Sequence, residues 1–93
     1  MLQRNATVLW RELDGEAILL NPKEGCSYNL NHVGTLIWKM LDGEHTANDM
    51  AKAIYEQYEV EYEQALLDVE LLLKDLRVNK LLSDSMPLAN TST

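Results

Sequence analysis

Cysteine, basic residues and long apolar runs are all scarce in this 93-residue sequence, and each scarcity excludes a class of protein. The single cysteine, Cys26, cannot form an internal disulfide, which fits a reducing compartment. No apolar run approaches the roughly 18 residues that a membrane-spanning helix needs. The N-terminus lacks the apolar stretch of a secretory signal, so we expect a cytoplasmic protein.

Acidic residues outnumber basic ones, 15 to 8, and the formal net charge is −7. A chain this acidic repels phosphate backbones, whereas nucleic-acid binders gain most of their non-specific affinity by neutralising phosphates. The same repulsion acts at an anionic membrane surface. We therefore expect the partners to include neither a nucleic acid nor a membrane.

Residues that carry catalytic or metal chemistry do not occur here in any recognised spacing. His32, His45 and Cys26 are isolated, without the ligand spacing of a metal site. The sequence also contains no nucleophile-and-base set, no glycine-rich phosphate cradle and no cofactor fingerprint. These absences predict a protein that is not an enzyme and that binds no metal and no cofactor.

The first third of the chain has the pattern of three short strands. Residues 7–11 alternate in the way a half-buried strand requires. Asp14-Gly15 supplies the two residues that a tight hairpin turn needs at positive φ, so residues 16–20 pair back antiparallel. After a turn cluster at residues 21–25, residues 26–30 form the third strand. That strand lies at an edge of the meander unless the chain later covers it.

Three helical patterns follow the strands. The first covers about residues 31–41, with Asn31 as its N-cap and Asp42-Gly43 at its left-handed end. The second opens at Thr46 with a capping arrangement, and the third runs from residue 61 or 62 to residue 78. The predicted fold is α+β and winged-helix-like, with an N-terminal three-stranded antiparallel sheet followed by three helices.

The length of the chain fits one domain, which buries roughly 60–65% of its unfolded surface. Leu81 and Leu82 pack the end of that domain, and the residues after them are small and polar, with Pro87 among them. We expect residues 1–82 to form the domain and residues 83–93 to be a disordered tail.

The third helix carries a second apolar stripe opposite its core-facing one. Placing residues about 100° apart puts Leu67, Leu71 and Val78 on that side, with Lys74 among them. The core-facing side consists of Leu66, Val69, Leu72, Leu73 and Leu76. A surface helix has no structural need of a second stripe, so this stripe must be covered by something or stay exposed.

A pattern from Tyr28 to Thr46 reads Y-x-L-N-x-x-G-x-x-I-W-x-x-L-D-G-x-x-T, preceded by Leu13-Asp14-Gly15 and followed by Leu81-Leu82. In this order and spacing the pieces resemble the PqqD family, over residues 6–82. The family is named from pyrroloquinoline quinone biosynthesis, and its members are recognition elements for ribosomally synthesised, modified peptides (RiPPs). The resemblance implies a protein that binds the leader segment of a precursor peptide and presents it to a modifying enzyme, often a radical-SAM enzyme.

The binding mode expected from this resemblance is β-augmentation, in which an extended peptide adds a strand to an open sheet edge. The candidate edge is the third strand, with residues Cys26, Ser27, Tyr28, Asn29 and Leu30. The candidate groove lies beside the third helix, where the expected contacts are Leu67, Leu71, Lys74 and Val78. Lys74, with Arg77 and Lys80, either attracts acidic leader residues or complements the helix C-terminus.

Two other functions stay open on the residues alone. Three strands followed by a helix-turn-helix-like pair also suit a winged-helix DNA-binding regulator, although the leading turn of the third helix is acidic. The other function is a dimerising scaffold, in which Leu67, Leu71 and Val78 pack against a second copy of the chain and make a homodimer.

Overall fold

Residues 2–84 are described by the computed structural model, and they contain five strands and three helices. In chain order these are β1 (Leu2–Arg4), β2 (Leu9–Leu13), β3 (Glu16–Asn21), β4 (Cys26–Asn29), α1 (His32–Lys39), α2 (Ala47–Gln57), α3 (Tyr62–Val78) and β5 (Leu82–Asp84). The predicted fold, a three-stranded antiparallel sheet followed by three helices, is confirmed in β2 to β4 and α1 to α3. Of the predicted tail, residues 83 and 84 belong to β5, and residues 85–93 lie outside the described residues.

The order of the main sheet is β2-β3-β4, and both strand pairs are antiparallel. Asp14 and Gly15 connect β2 to β3 at φ 55° and 80°, the left-handed geometry of a two-residue hairpin turn. The first strand of this sheet begins at residue 9 and not at residue 7 as predicted. The reason is a turn over residues 5–8, in which Thr7 donates from its N–H and its hydroxyl to the side chain of Asn5.

A second, two-stranded sheet joins the two ends of the described chain, and the sequence patterns did not predict it. β1 pairs antiparallel with β5, with Arg4 opposite Leu82. On the other side of β1, the Arg4 N–H donates to the Leu41 carbonyl and the Gly43 N–H donates to the Leu2 carbonyl, both at 2.9 Å. These bonds hold both ends of the described chain against the segment that follows α1.

Side-chain caps begin two of the helices, as predicted. Asn31 Oδ1 accepts from the Gly34 N–H at 2.8 Å, and Thr46 and Asp49 cap α2 reciprocally. α1 ends two residues earlier than predicted, at residue 39. Gly43 is left-handed, with φ 86°, but it lies in the turn towards α2, so the expectation that it caps α1 is wrong.

α3 ends in a Schellman motif that uses a residue other than glycine. The Leu81 N–H donates to the Leu76 carbonyl at 2.8 Å, and Lys80 occupies the left-handed position with φ 61°. Glycine usually takes this position because it has no Cβ. The Lys80 carbonyl accepts from the side-chain amides of Asn5 (2.9 Å) and Asn21 (3.1 Å), which hold the segment in place.

The hydrophobic core lies between one face of the main sheet and the helices. Along β3, Ala17 and Leu19 are fully buried, whereas Ile18 and Leu20 point to the exposed face. The other buried apolar residues are Val8, Leu30, Ile37, Trp38, Leu41, Met50, Ala51, Ile54, Ala65, Val69, Leu73, Leu76, Leu81 and Leu82. Of the three helices between residues 2 and 84, none has the length and apolar character needed to cross a bilayer.

Candidate functional site

The outer edge of β4 pairs with no other strand among residues 2–84. On the inner side, the Leu30 N–H donates to the Ala17 carbonyl at 2.8 Å. Hydrogen-bonded pairs alternate with non-bonded pairs in an antiparallel ladder, so Tyr28 also bonds to β3. The backbone groups of Ser27 and Asn29 therefore point away from the sheet. This edge offers two N–H and two C=O groups to an added strand.

β2 forms the other edge of the main sheet and provides a comparison for β4. Leu13 and Glu16 form the hydrogen-bonded pair that closes the hairpin turn. Because bonded and non-bonded pairs alternate along the strands, the backbone groups of Trp10 and Glu12 point outward. The cavity at the beginning of β2 measures about 250 Å³, and residues 3–6 make up half of its lining. The two edges thus offer similar backbone groups, but they differ in what lies beside them.

A larger cavity, of about 410 Å³, lies beside the open edge of β4. Leu30 and Ile37 in its lining are buried core residues, and the half-buried side chains of Val33 and Leu72 pack against the same core. Asp68 is the only charged residue in the lining. The lining residues are Tyr28, Asn29, Leu30, Asn31, Val33, Gly34, Ile37, Asp68 and Leu72. A peptide paired with β4 places alternate side chains towards this cavity.

Gly34 shapes the wall that α1 contributes to the cavity. A Cβ atom at this position would lie 3.1 Å from Leu30 Cδ2 and 3.4 Å from Asn31 Oδ1. The first turn of α1 therefore approaches Leu30 closely because residue 34 has no side chain. This close approach is a physical reason for the glycine in the Y-x-L-N-x-x-G pattern.

Tyr28 links β4 to α3 at the margin of the cavity. Its hydroxyl donates to Asp75 Oδ2 over 3.5 Å, which is a long hydrogen bond. Burial of the phenol raises the pKa of Tyr28, and the charge of Asp75 and the hydrogen bond raise it further. The phenol is therefore a neutral hydrogen-bond donor near pH 7.

A larger concave surface, of about 1000 Å³, lies elsewhere, at the junction of α2 and α3. It is lined by the consecutive residues 55–63, which include four glutamates. One continuous turn of chain lines this surface, and it contains no open strand edge. The smaller cavity beside β4 is the stronger candidate because it adjoins backbone groups that a ligand can pair with.

Both histidines have local partners. His32 Nε2 lies 2.9 Å from the Asp14 carbonyl oxygen, and His45 Nδ1 lies 3.0 Å from Asp42 Oδ1. The hydrogen bond to Asp42 raises the pKa of His45. The pKa of Asp42 is lowered, first by the hydrogen bond from the Glu44 N–H and then by His45. In the part of the chain that the structure describes, no three His, Cys, Asp or Glu side chains gather as metal ligands do.

The predicted site residues of the third strand lie at or beside the cavity. Tyr28, Asn29 and Leu30 line it. Ser27 directs its backbone groups outward on the open edge, and Cys26 is half-buried at the beginning of β4. The structure thus brings the edge and the cavity together in one place.

The predicted site residues of α3 lie on another side of that helix. Leu67, Leu71 and Val78 are 49%, 55% and 71% exposed, and we call this row the outer stripe. Lys74 is exposed as well, and neither it nor the outer stripe lines the β4 cavity. The β4 edge and the outer stripe are therefore two separate candidate surfaces.

Asp68 and Leu72 are the residues of α3 that reach the cavity, and the sequence reasoning did not nominate them. Asp68 follows Leu67, and Leu72 follows Leu71, but one step along a helix turns the side chain by about 100°. Leu72 had been assigned to the core, and it is half-buried at the margin of the core. The sequence did contain a signal for these two residues, because a spacing of four puts a carboxylate and a leucine on the same face of a helix.

The sequence of this chain matches the family described as coenzyme PQQ synthesis protein D (PqqD) over residues 16–82. The matched segment begins with β3 and ends in β5, so it includes the open edge of β4 and every residue that lines the cavity. No curated protein matches the chain.

Two solved structures are similar to this fold, and both contain a leader peptide. TbiB1 in complex with the TbiA(beta) leader peptide is 25% identical, with a TM-score of 0.81 over 90% of this chain and 98% of that chain. Lasso peptide synthetase B1 complexed with the leader peptide is 26% identical, with a TM-score of 0.79 over 88% of this chain and 96% of that chain.

Proposed function

Because the chain belongs to the PqqD family, we propose that it is a non-catalytic adaptor that captures the leader segment of a ribosomally made precursor peptide and presents it to a modifying enzyme. The two similar structures, both complexes with leader peptides, support this function. The observation that carries the proposal is the open edge of β4 beside a cavity with a partly apolar lining. A strand edge pairs with any backbone, and pockets beside it select side chains.

Backbone pairing alone is too weak to hold a leader peptide. Ordering five disordered residues costs about 5–10 kcal/mol of backbone entropy. Hydrogen bonds to the four outward backbone groups of Ser27 and Asn29 contribute about 1 kcal/mol each. Two or three buried side chains, at about 1.5–3 kcal/mol each, offset the remainder. We place these side chains in the β4 cavity, against Leu30, Val33 and Leu72.

The outer stripe of α3 is a second proposed surface. Its three aliphatic side chains are exposed in a row, so burying them against a partner is favourable. We favour the modifying enzyme as that partner over a second copy of the chain, because two chains of net charge −7 repel each other. Sedimentation at increasing concentration tests this choice, and a mass that rises to that of a homodimer contradicts it.

Two classes of modifying enzyme are supported by different observations. The modifying enzymes that the family resemblance implies are often radical-SAM enzymes, whereas the similarity to lasso peptide synthetase B1 supports the other subunits of a lasso peptide synthetase. We propose the second class, acting in the cytoplasm, where precursor peptides are translated. A short precursor gene beside cyclase and protease genes supports this choice, and a neighbouring radical-SAM gene contradicts it.

Duplex DNA is not favoured as the ligand. The N-cap and the first turn of α3, which would enter a major groove, carry Glu61 and Glu63. The net charge of −7 also disfavours binding to phosphates.

A proline in the edge strand tests peptide capture at β4. Ser27→Pro removes an outward N–H and places a ring on the open edge, but it spares the bonds between β4 and β3. Glu12→Pro is the matched control, because it removes an outward N–H from the other edge. The probe is a library of random fifteen-residue peptides displayed on mRNA and selected on the wild-type protein. The most enriched sequence, synthesised as a free peptide, is called the selected peptide below.

We expect Ser27→Pro to weaken binding of the selected peptide about fivefold or more, which corresponds to one lost hydrogen bond. Glu12→Pro should bind like the wild type in the same fluorescence anisotropy titration, and thermal unfolding should show that both variants are folded. Equal affinity of Ser27→Pro and the wild type would exclude the β4 edge. A selection that enriches no peptide would contradict peptide capture itself.

A further inference from the structure

Asp68 gives the β4 cavity a single negative charge among otherwise uncharged walls. The side chain is half-buried, and its Oδ1 accepts from Gln64 Nε2 at 3.0 Å. Its second carboxylate oxygen has no hydrogen-bond or ion-pair partner among residues 2–84. Neither Lys74 nor Arg77 lines the cavity, although both lie on the same helix. A ligand side chain that enters the cavity therefore meets a carboxylate with capacity for another donor.

The next polar side chain on the same face of α3 is also a carboxylate. Asp75 lies seven positions after Asp68, two helical turns along one face, and it accepts from the Tyr28 hydroxyl. The side of α3 that faces β4 thus presents two negative charges. A leader peptide that carries acidic residues here would be repelled, and a basic residue would be attracted.

The spacing of Asp68 and Leu72 matches the repeat of an extended strand. These two residues are one helical turn apart, about 6 Å along the axis. Side chains on one face of a strand recur every second residue, about 6.6–6.8 Å apart. A peptide strand that pairs with β4 and runs along α3 can therefore direct one side chain to Leu72 and the side chain two positions away to Asp68.

We propose, building on the function proposed above, that the recognised leader carries a lysine or arginine two positions from an aliphatic or aromatic residue. The apolar residue packs against Leu72 and Leu30, and the basic residue pairs with the Asp68 carboxylate. Lysine and arginine suit this position because their aliphatic stems cover apolar walls such as Val33 while the charged head reaches the carboxylate. The cavity volume of about 410 Å³ lies within the range of pockets that hold small ligands, which leaves room for more than one side chain.

Peptide selection on three forms of the full chain tests this inference. The random library is selected in parallel on the wild type, on Asp68→Asn and on the charge-reversed Asp68→Lys. We expect the wild-type pool to contain lysine or arginine two positions from an apolar residue. The Asp68→Asn pool should keep the apolar residue and lose the basic preference, and the Asp68→Lys pool should contain an acidic residue at that position.

Affinity measurements give a second readout with a matched control. We expect Asp68→Asn to bind the selected peptide about tenfold more weakly, as for a lost charge-assisted hydrogen bond, and with less sensitivity to salt. Glu70→Gln changes the net charge equally but lies on an exposed side of α3 outside the cavity, so its affinity should equal that of the wild type. Equal losses in both variants would show a general charge effect and overturn the inference.

The outcomes separate this inference from the function on which it rests. If the selected peptides bind Ser27→Pro more weakly than the wild type but show no preference for a basic residue, the inference is overturned and the proposed function stands. The same result follows if the wild-type and Asp68→Lys pools are indistinguishable. A wild-type selection that enriches no peptide overturns both the proposed function and the inference.

Discussion

Leu72→Ala is expected to weaken binding of the selected peptide roughly 5- to 30-fold while the domain stays folded. Part of the Leu72 side chain packs against the core, and the rest lines the β4 cavity. Burying a whole leucine side chain is worth about 1.5–3 kcal/mol, so the part that a bound peptide covers is worth about 1–2 kcal/mol. A loss of that size corresponds to the expected factor, which fluorescence anisotropy measures directly.

The same substitution also lowers the stability of the free domain. Truncating a fully buried leucine costs about 2–5 kcal/mol, and Leu72 is only half-buried, so we expect about 1–2 kcal/mol. In a domain of this size each kcal/mol lowers the melting temperature by about 4–8 °C. Binding is therefore measured well below the melting temperature, which a circular dichroism scan of the variant determines.

Leu71→Ala is the matched control because it makes the same chemical change at the next position of α3. Leu71 is 55% exposed and does not line the cavity. The affinity should therefore equal that of the wild type. Surface substitutions change stability by about 0.5 kcal/mol or less, so the melting temperature should also stay close to that of the wild type. If Leu71→Ala weakens binding and Leu72→Ala does not, the peptide lies on the outer stripe and the cavity assignment is refuted.

Two predictions concern the fold outside the β4 cavity. Lys80→Gly should stabilise the domain by about 0.5–1 kcal/mol in urea unfolding, because glycine relieves the left-handed backbone at φ 61°; a loss of stability would contradict the assigned Schellman motif. The raised pKa of His45 means that its contact with Asp42 stabilises the fold at pH values below the ordinary histidine pKa and is lost as the pH rises through the raised pKa. The lowered pKa of Asp42 means that the contact is also lost as the pH falls through that lower value. Asp42→Asn should therefore lower the pKa of His45 towards its ordinary value in an NMR titration of the ring protons, and an unchanged titration would show that another group raises it.

Local features were predictable because the residues that make them are neighbours in the chain. The Asp14-Gly15 turn is confirmed by the positive φ of both residues, and the Thr46 cap by its reciprocal bonds with Asp49. Turn and cap preferences act over two to four residues, so one sequence is enough to read them. The PqqD resemblance, stated from the pattern between Tyr28 and Thr46, is confirmed by the match over residues 16–82.

Features that join distant residues were missed for the opposite reason. β1 and β5 are three residues each, too short to show a period, and almost the whole described chain separates them. The late start of β2 depends on the side chain of Asn5, whose Nδ2 also bonds to the Lys80 carbonyl. The early end of α1 lies beside the bonds that connect residues 41–43 to β1. The turn at Asn5 is local, but its contact with Lys80 and the bonds between β1 and residues 41–43 join residues far apart in the chain.

Charge, hydrophobic period and turn chemistry were sufficient to predict one α+β domain with a strand edge and a two-striped third helix, because these properties depend on composition and on neighbours in the chain. They did not predict which side of α3 adjoins that edge. The rotation of a helix about its own axis is set by packing against other elements, here mainly α2, with α1 and β5. That packing directs Asp68 and Leu72 into the cavity beside β4 and leaves Leu67 and Leu71 in solvent.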